Sequence, residues 1–529
     1  MIPRTAIAQI AKEIGRELNS GAQPSEEALA IGPILAEAGA TPEIVGRLFA
    51  EAQRNRRSDR MIHAYAFMLE GALGTLRVQA SGGDVGADHT IAAVHKEVAD
   101  NLRKSSIAPD VLMLVARAFA CAELDPGRPL QEAMMSAMEA QAPSMPGALS
   151  LEDISDHFAE LAATLDNDPF AIYAELATMA AAFPAEHHAA MAGAIATSQI
   201  EAVREAGLGF AFSPNPAVSS AALVAVSQQR GGLVSSKVVD RLVRMRPWFS
   251  ETRRTDIDTA IRALRPKAAP PVPVKRWEIR GVLASLCDGV GAQSLFALAK
   301  QGRRFALACL LVKSEVGVQD AWVRDGMTKA EADALIAQIV SGAEAVEISI
   351  GLLEQRLADA LATNVAREVP PPFGLPQVVE VLALGPLHPE RISPPALVEA
   401  LIGDLPPARK DVKAVLAAHR ASARWEQEFE TVTSWFEAGE AVEALLRPQR
   451  TRKRRIEAVS AQLLPARRSF WGERCAWMAA TLKENAEDGD STWSDFALVA
   501  RDLLGKRPLD SIPLATRIAS ATVEAFEQR

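Results

Sequence analysis

Cysteine is scarce and scattered: Cys121, Cys287, Cys309 and Cys475 stand far apart in 529 residues, with no C-x-x-C pair. That excludes a disulfide framework and a zinc ribbon, and it implies a reducing, cytoplasmic setting. Tyrosine is scarcer still, with Tyr65 and Tyr173 alone. Long apolar runs are missing as well. Phe305 to Val312 is among the longest, far short of the ~20 residues that a membrane-spanning helix needs, so no membrane contact is expected. Charges at Arg4, Lys12, Glu13, Arg16 and Glu17 break the apolar pattern of the first twenty residues. An amphipathic helix is expected there rather than a secretory signal.

Catalytic signatures are absent too. There is no G-x-x-x-x-G-K-[ST], G-x-S-x-G or H-E-x-x-H, and the glycine-rich stretch Ser81 to Thr90 lacks the lysine of a phosphate-cradling loop. His187 and His188 are adjacent; on a helix they point about 100° apart and cannot chelate one metal. Asp488 and Asp490 have calcium-loop spacing, but Trp493 takes the turn glycine's place and Val499 that of the closing glutamate. No metal and no cofactor are expected.

What the sequence has in abundance is alanine, more than one residue in six, which suits close-packed helices. From residue 3 to about 265 the apolar residues follow a 3.6-residue period, as in Ile172, Leu176, Met179 and Phe183. Helix-start signals recur at Ser25, Thr41-Pro42-Glu43, Ala108-Pro109-Asp110, Asp168-Pro169 and Asn215-Pro216. The segments DPFAIYAELATM at Asp168 and NPAVSSAALVAV at Asn215 align without gaps at an offset of 47 residues. That offset falls in the range of about 40 to 47 for two- or three-helix repeats. On these residues the stretch from about 150 to 265 resembles HEAT or armadillo repeat proteins. The resemblance implies short amphipathic helices stacked into an α-solenoid, a surface for extended protein partners.

Texture changes after the proline-rich run of residues 266–276. Residues 277–314 hold three short apolar runs separated by Cys287 to Gly291 and by a turn at Gly302. Asp-Gly between apolar runs is a hairpin signal, so a three-stranded antiparallel meander is expected, the only sheet in the chain. Helices follow to residue 367. Past the break at Val369 to Pro376, Trp425, Trp435, Trp471 and Trp477 sit at core-like positions of a tryptophan-rich helical domain. The expected architecture is therefore mainly α: a helical array over 1–265, a linker over 266–276, a small α+β domain over 277–367 and a helical domain over 377–529.

Net charge is −9, unevenly spread. Residues 1 to 200 carry 14 basic and 26 acidic side chains, whereas residues 201 to 300 carry 15 and 8. In that basic band Lys237, Arg241 and Arg244 fall at i, i+4 and i+7, one helix face, and Arg253 and Arg254 follow. Arginine at such a stripe suits phosphate or carboxylate, and a solvated face with local ion pairs is the plainer reading. A denser cluster, Arg452, Lys453, Arg454 and Arg455, with Arg467 and Arg468 beyond, reads as a nucleic-acid or acidic-partner patch without a known binding module. Asp288 and Gln293 mark the rim of the first meander turn, where a loop on a rigid support would carry a site. The function expected is a non-enzymatic protein-interaction scaffold. Nucleic-acid binding through the basic helix faces is one alternative, and an enzyme with a dispersed site near 288–293 is the other.

Overall fold

The computed structural model describes residues 4–19, 24–81, 84–141, 151–181, 183–230, 233–270, 276–486 and 491–528. The protein is mainly α, and the chain divides into two compact units, Met1–Gln228 and Gln229–Arg529.

Every element among the first unit's described residues is a helix. Its longest helix, Asp59–Ser81, packs against Arg4–Leu18, Glu26–Glu37, Thr41–Ala52, Val85–Lys104 and Pro109–Cys121. Tyr65, Leu69, Leu73 and Leu76 are buried along it. Gly32 lets Glu26–Glu37 cross it closely, because a Cβ there would lie 2.5 Å from the Gly71 carbonyl carbon. A solenoid stacks each repeat on its neighbours alone. Here one helix serves five, so this half of the unit is a bundle around a shared axis.

The aligned segments do open alike. Asp168 and Asn215 accept from the N–H groups of Phe170 and Ala217, at 2.9 and 3.0 Å, in front of Pro169–Ala181 and Pro216–Ser227. Leu176 and Leu223 are both buried, but where the first helix buries Ile172 the second buries Ser219, whose hydroxyl donates to Ala211 O at 2.7 Å.

No single described helix is long and apolar enough to cross a membrane. The one pair that would pass together, Glu26–Glu37 and Thr41–Ala52, is bent by 114° and buries Leu35, Ile44, Leu48 and Phe49 in the core.

The second unit begins earlier than the expected boundary at 265. Helices Ser236–Met245 and Glu251–Leu264 belong to it, tied by Arg241 to Glu380 and by the Trp248 indole, which donates to Leu387 O at 3.0 Å. The proline-rich run thus lies inside a unit instead of between domains, with residues 271–275 outside the described ones. Five antiparallel strands follow, not three: β1 Glu278–Ala284, β2 Ala292–Gln301, β3 Arg304–Lys313, β4 Gly317–Met327 and β5 Val346–Glu347, in the order β4-β3-β2-β1-β5. The first three lie where the apolar runs placed them. Gly302, with φ +63°, makes the two-residue turn between β2 and β3. The turn after β1 is longer than an Asp-Gly hairpin, and its positive φ (+77°) falls at Gly291, while Asp288 accepts from the N–H groups of Val290 and Ala292.

Layering explains the strand sequences. Phe296 and Leu298 of β2, with Phe305, Leu307 and Cys309 of β3, pack under the Lys329–Gly342 helix. On the other face Gln293 bonds to Thr481 and Arg356, from helices Arg468–Glu484 and Ile350–Ala366. Strand β3 is covered on both sides, and so it reads as the unbroken run Phe305 to Leu310. At the open edge, Asn364 meets the main chain of β4: its Oδ1 accepts from Val318 N at 2.8 Å, and its Nδ2 faces Val318 O at 3.4 Å. Trp425, Trp435, Trp471 and Trp477 are all buried, with Trp425 stacked on Phe496 at 3.6 Å between centroids.

Candidate functional site

The basic stripe becomes one wall of a cleft. Ser235 caps the Ser236–Met245 helix by accepting from Lys237 N. Val238, Val239, Leu242 and Met245 are buried, which turns Lys237, Asp240 and Arg244 to solvent. Arg241 faces inward and is 5% exposed; its Nε and Nη2 donate to the two carboxylate oxygens of Glu380 at 2.6 and 3.0 Å. That bidentate pair joins the stripe to the end of the Gly374–Val381 helix. Val381, Ala383 and Leu384 continue the wall, and Arg276 and Trp277 close it from the approach to β1. The cleft encloses about 410 Å³.

Its charge is lopsided. Arg241 and Glu380 neutralise each other, leaving Lys237, Arg244 and Arg276 against Asp240. These three cations are exposed and make no side-chain hydrogen bond or ion pair among the described residues. Trp277 is half-buried beside them. A concave surface with surplus positive charge and an aromatic wall attracts an anionic ligand that has an apolar part.

The remaining basic residues of the sequence reading are placed elsewhere. Arg254 folds back on its own chain, donating to Phe249 O at 2.9 Å and Pro247 O at 3.0 Å. Arg253 is half-buried, and burial lowers its pKa. Neither lines the cleft. In the denser cluster, Arg452 pairs with Glu524 at 2.5 Å and Glu527 at 3.4 Å, and Arg455 pairs with Glu527 at 2.7 Å. Lys453 lies 4.0 Å from Glu457, and Arg454 is exposed. Arg467 is engaged by Glu437 and Glu315, and Arg468 donates to the carbonyls of Asp502, Leu503 and Arg507. The run of like charge is mostly answered by the protein's own acceptors.

Asp288 and Gln293 do not share a rim. Gln293 sits in β2, is 2% exposed and bonds to Ser285 O, Thr481 and Arg356. Asp288 is half-buried beside a groove of about 460 Å³ with Ser285, Ser294, Thr431 and Ser434. Burial pushes its carboxyl up, opposed by the backbone N–H groups of Ala292 and Val290 and by Arg474. Cys287 is buried, and burial raises its thiol to about 11, so it is no ready nucleophile. Among the described residues no cluster of His, Cys, Asp and Glu could hold a metal ion.

Sequence reasoning missed a buried polar network behind the sheet. Arg356 donates to Gln293 at 3.0 Å and to Asp359 at 3.1 Å, with its guanidinium 4.4 Å from the Trp477 ring centre. Arg391 ties Asp359 to Glu473 at 2.7 and 3.0 Å. Arg474, fully buried, donates to Gly289 O at 3.1 Å and lies over Phe470; burial lowers it to about 10. It braces the 288–291 turn. It also missed Arg276, Trp277 and Glu380, which reach the cleft only through tertiary packing.

Two families match parts of the chain. Residues 395–527 match the family described as Y4lR C-terminal helical domain, and residues 184–268 match Y4lR second domain. The second match includes Lys237, Arg241 and Arg244 but ends before Arg276. A protein of Sinorhizobium fredii (strain NBRC 101917 / NGR234), named as the uncharacterised protein y4lR, is 29% identical over 254 residues, covering 47% of each chain. The chain thus matches about half the length of that relative. No solved structure matches.

Proposed function

We propose that this is a non-enzymatic binding protein of the cytoplasm, which holds an anionic partner in the cleft between the Ser236–Met245 helix, the Gly374–Val381 helix and the approach to β1. One observation carries the reading: Lys237, Arg244 and Arg276 converge on one concave surface while none is neutralised by a neighbouring carboxylate among the described residues. Most arginines of the second unit are matched to acceptors, and unmatched cations converging on a hollow cost self-repulsion that a bound anion relieves. The scaffold role expected for the helical array is a further part of the proposal.

The test is fluorescence anisotropy with a labelled acidic peptide and with labelled single- and double-stranded DNA and RNA, at two salt concentrations. At least one anion binds, more weakly at high salt. Binding is lost in the triple variant Lys237→Glu, Arg244→Glu, Arg276→Glu and retained when Arg452, Lys453, Arg454 and Arg455 are reversed. No binding at low salt, or loss only in the second variant, refutes the assignment.

A second reading has one observation behind it. The half-buried Asp288 carboxyl, its pKa raised by burial, borders a hydroxyl-lined groove, the setting in which carboxylates act as acids or bases. Its Oδ1 already accepts two backbone N–H groups, which favours a turn-forming role. A hydrolase screen of the wild type against Asp288→Asn separates the two.

A further inference from the structure

We infer that the occupant of the basic cleft is a small phosphorylated compound with a planar ring, of the nucleoside-phosphate class; this rests on the anionic-partner reading above. Size comes first. A cleft of about 410 Å³ is in the range of small-molecule sites, whereas a groove for a nucleic-acid strand must continue along the backbone with cations at each phosphate. Among the described residues the other dense basic cluster offers no such track, since Glu524 and Glu527 hold Arg452 and Arg455.

The lining then divides by chemistry. Lys237, Arg244 and Arg276 supply three cations for a group bearing several negative charges, and two of them are guanidiniums, whose forked donors match phosphate oxygens. An acidic peptide would satisfy those cations but leave the indole of Trp277 without a counterpart. A planar ring answers it, because base–aromatic stacking needs only a π-face. The Glu380 side chain is 35% exposed although Arg241 holds both its oxygens, and Asp240 is exposed beside it. Both accept hydrogen bonds, and neither suits a second carboxylate. Amino groups on a ring and sugar hydroxyls are the donors they fit.

Isothermal titration of the full chain with ATP, GTP, CTP, UTP, inorganic tripolyphosphate and hexaglutamate tests this directly. At least one nucleotide binds fivefold or more tighter than tripolyphosphate. Trp277→Ala abolishes that preference while tripolyphosphate binding persists, and Trp277→Phe, which keeps a ring, retains it. Arg244→Ala and Arg276→Ala weaken both probes. Equal affinity for nucleotide and tripolyphosphate, or a preference that survives Trp277→Ala, overturns the inference and leaves the anion cleft standing. Binding of hexaglutamate without any nucleotide overturns it in favour of a peptide partner. If none of the probes used here or in the anisotropy test binds, the inference and the functional reading both fail.

Discussion

The ion pair between Arg241 and Glu380 is where the cleft and the domain boundary can be tested together. It spans 139 residues and joins a helix that precedes the sheet to one that follows it. Two charge-assisted hydrogen bonds, at 2.6 and 3.0 Å, contribute about 1.5 to 3 kcal/mol each when desolvated. The Glu380 side chain is 35% exposed, so solvent screens the pair and the coupling between the partners should be about 2 kcal/mol. The single replacements should differ. Arg241→Ala leaves a carboxylate that water can reach and costs about 2 kcal/mol, whereas Glu380→Ala strips the carboxylate from a buried guanidinium and costs about 3 to 4 kcal/mol. Urea unfolding of the two single variants and the double, followed by far-UV circular dichroism, gives the cycle. Two units predict more than one transition, and both losses belong to the same one. Additive effects, with coupling below about 0.5 kcal/mol, would refute the pairing and leave the Trp248 bond to Leu387 O as the remaining named tie of residues 229–265 to the second unit.

Gly374→Ala should cost about 3 kcal/mol, because its Cβ would fall 1.7 Å from Ala321 O, while Gly385→Ala, with nothing within 4 Å, should leave the melting temperature unchanged. Burial raises the Asp288 pKa, so the native state holds that proton more tightly than the unfolded chain. This group's contribution therefore favours folding at acid pH and is lost as pH rises from the ordinary carboxylate range through the raised native value. Asp288→Asn keeps the Oδ1 acceptor, and it should flatten that part of the stability–pH curve without loss of stability at neutral pH; a steeper curve would contradict the assignment. Ellman's reagent should titrate Cys121 rapidly in the native protein and the buried Cys287, Cys309 and Cys475 only after denaturation. More than one fast thiol would show the packing around the sheet to be wrong.

Local pattern carried the elements that are locally determined. β1 to β3 were legible because strands near the middle of a covered sheet must be apolar. β4 was not: Gly317, Asp320, Asp325 and Gly326 break any apolar run, as an edge strand allows. Strand β5, two residues long, has no sequence signal at all. The same division runs through the site. Lys237, Arg241 and Arg244 share a face by helical arithmetic. Arg276, Trp277 and Glu380 lie 32 to 143 residues from them in the chain, and only the fold brings them near. Charge alone could not rank the two basic clusters. The carboxylates that answer Arg452 and Arg455 come from a helix some seventy residues downstream.

Asn364 has a consequence for how copies of this protein behave in a crowded solution. An open sheet edge offers unsatisfied amides that can recruit an identical edge from a second molecule, the first step toward a growing fibre. One side-chain amide, carried on a helix of the same unit, occupies the position where an incoming strand would begin its ladder. The nearby Gly317, φ +99°, makes room for it, since a Cβ there would lie 2.4 Å from the Asn364 oxygen. Asn364 at Val318, and the Gly374–Val381 helix at the Ala321 carbonyl, take up part of this edge, which leaves fewer main-chain groups for a second molecule to pair with.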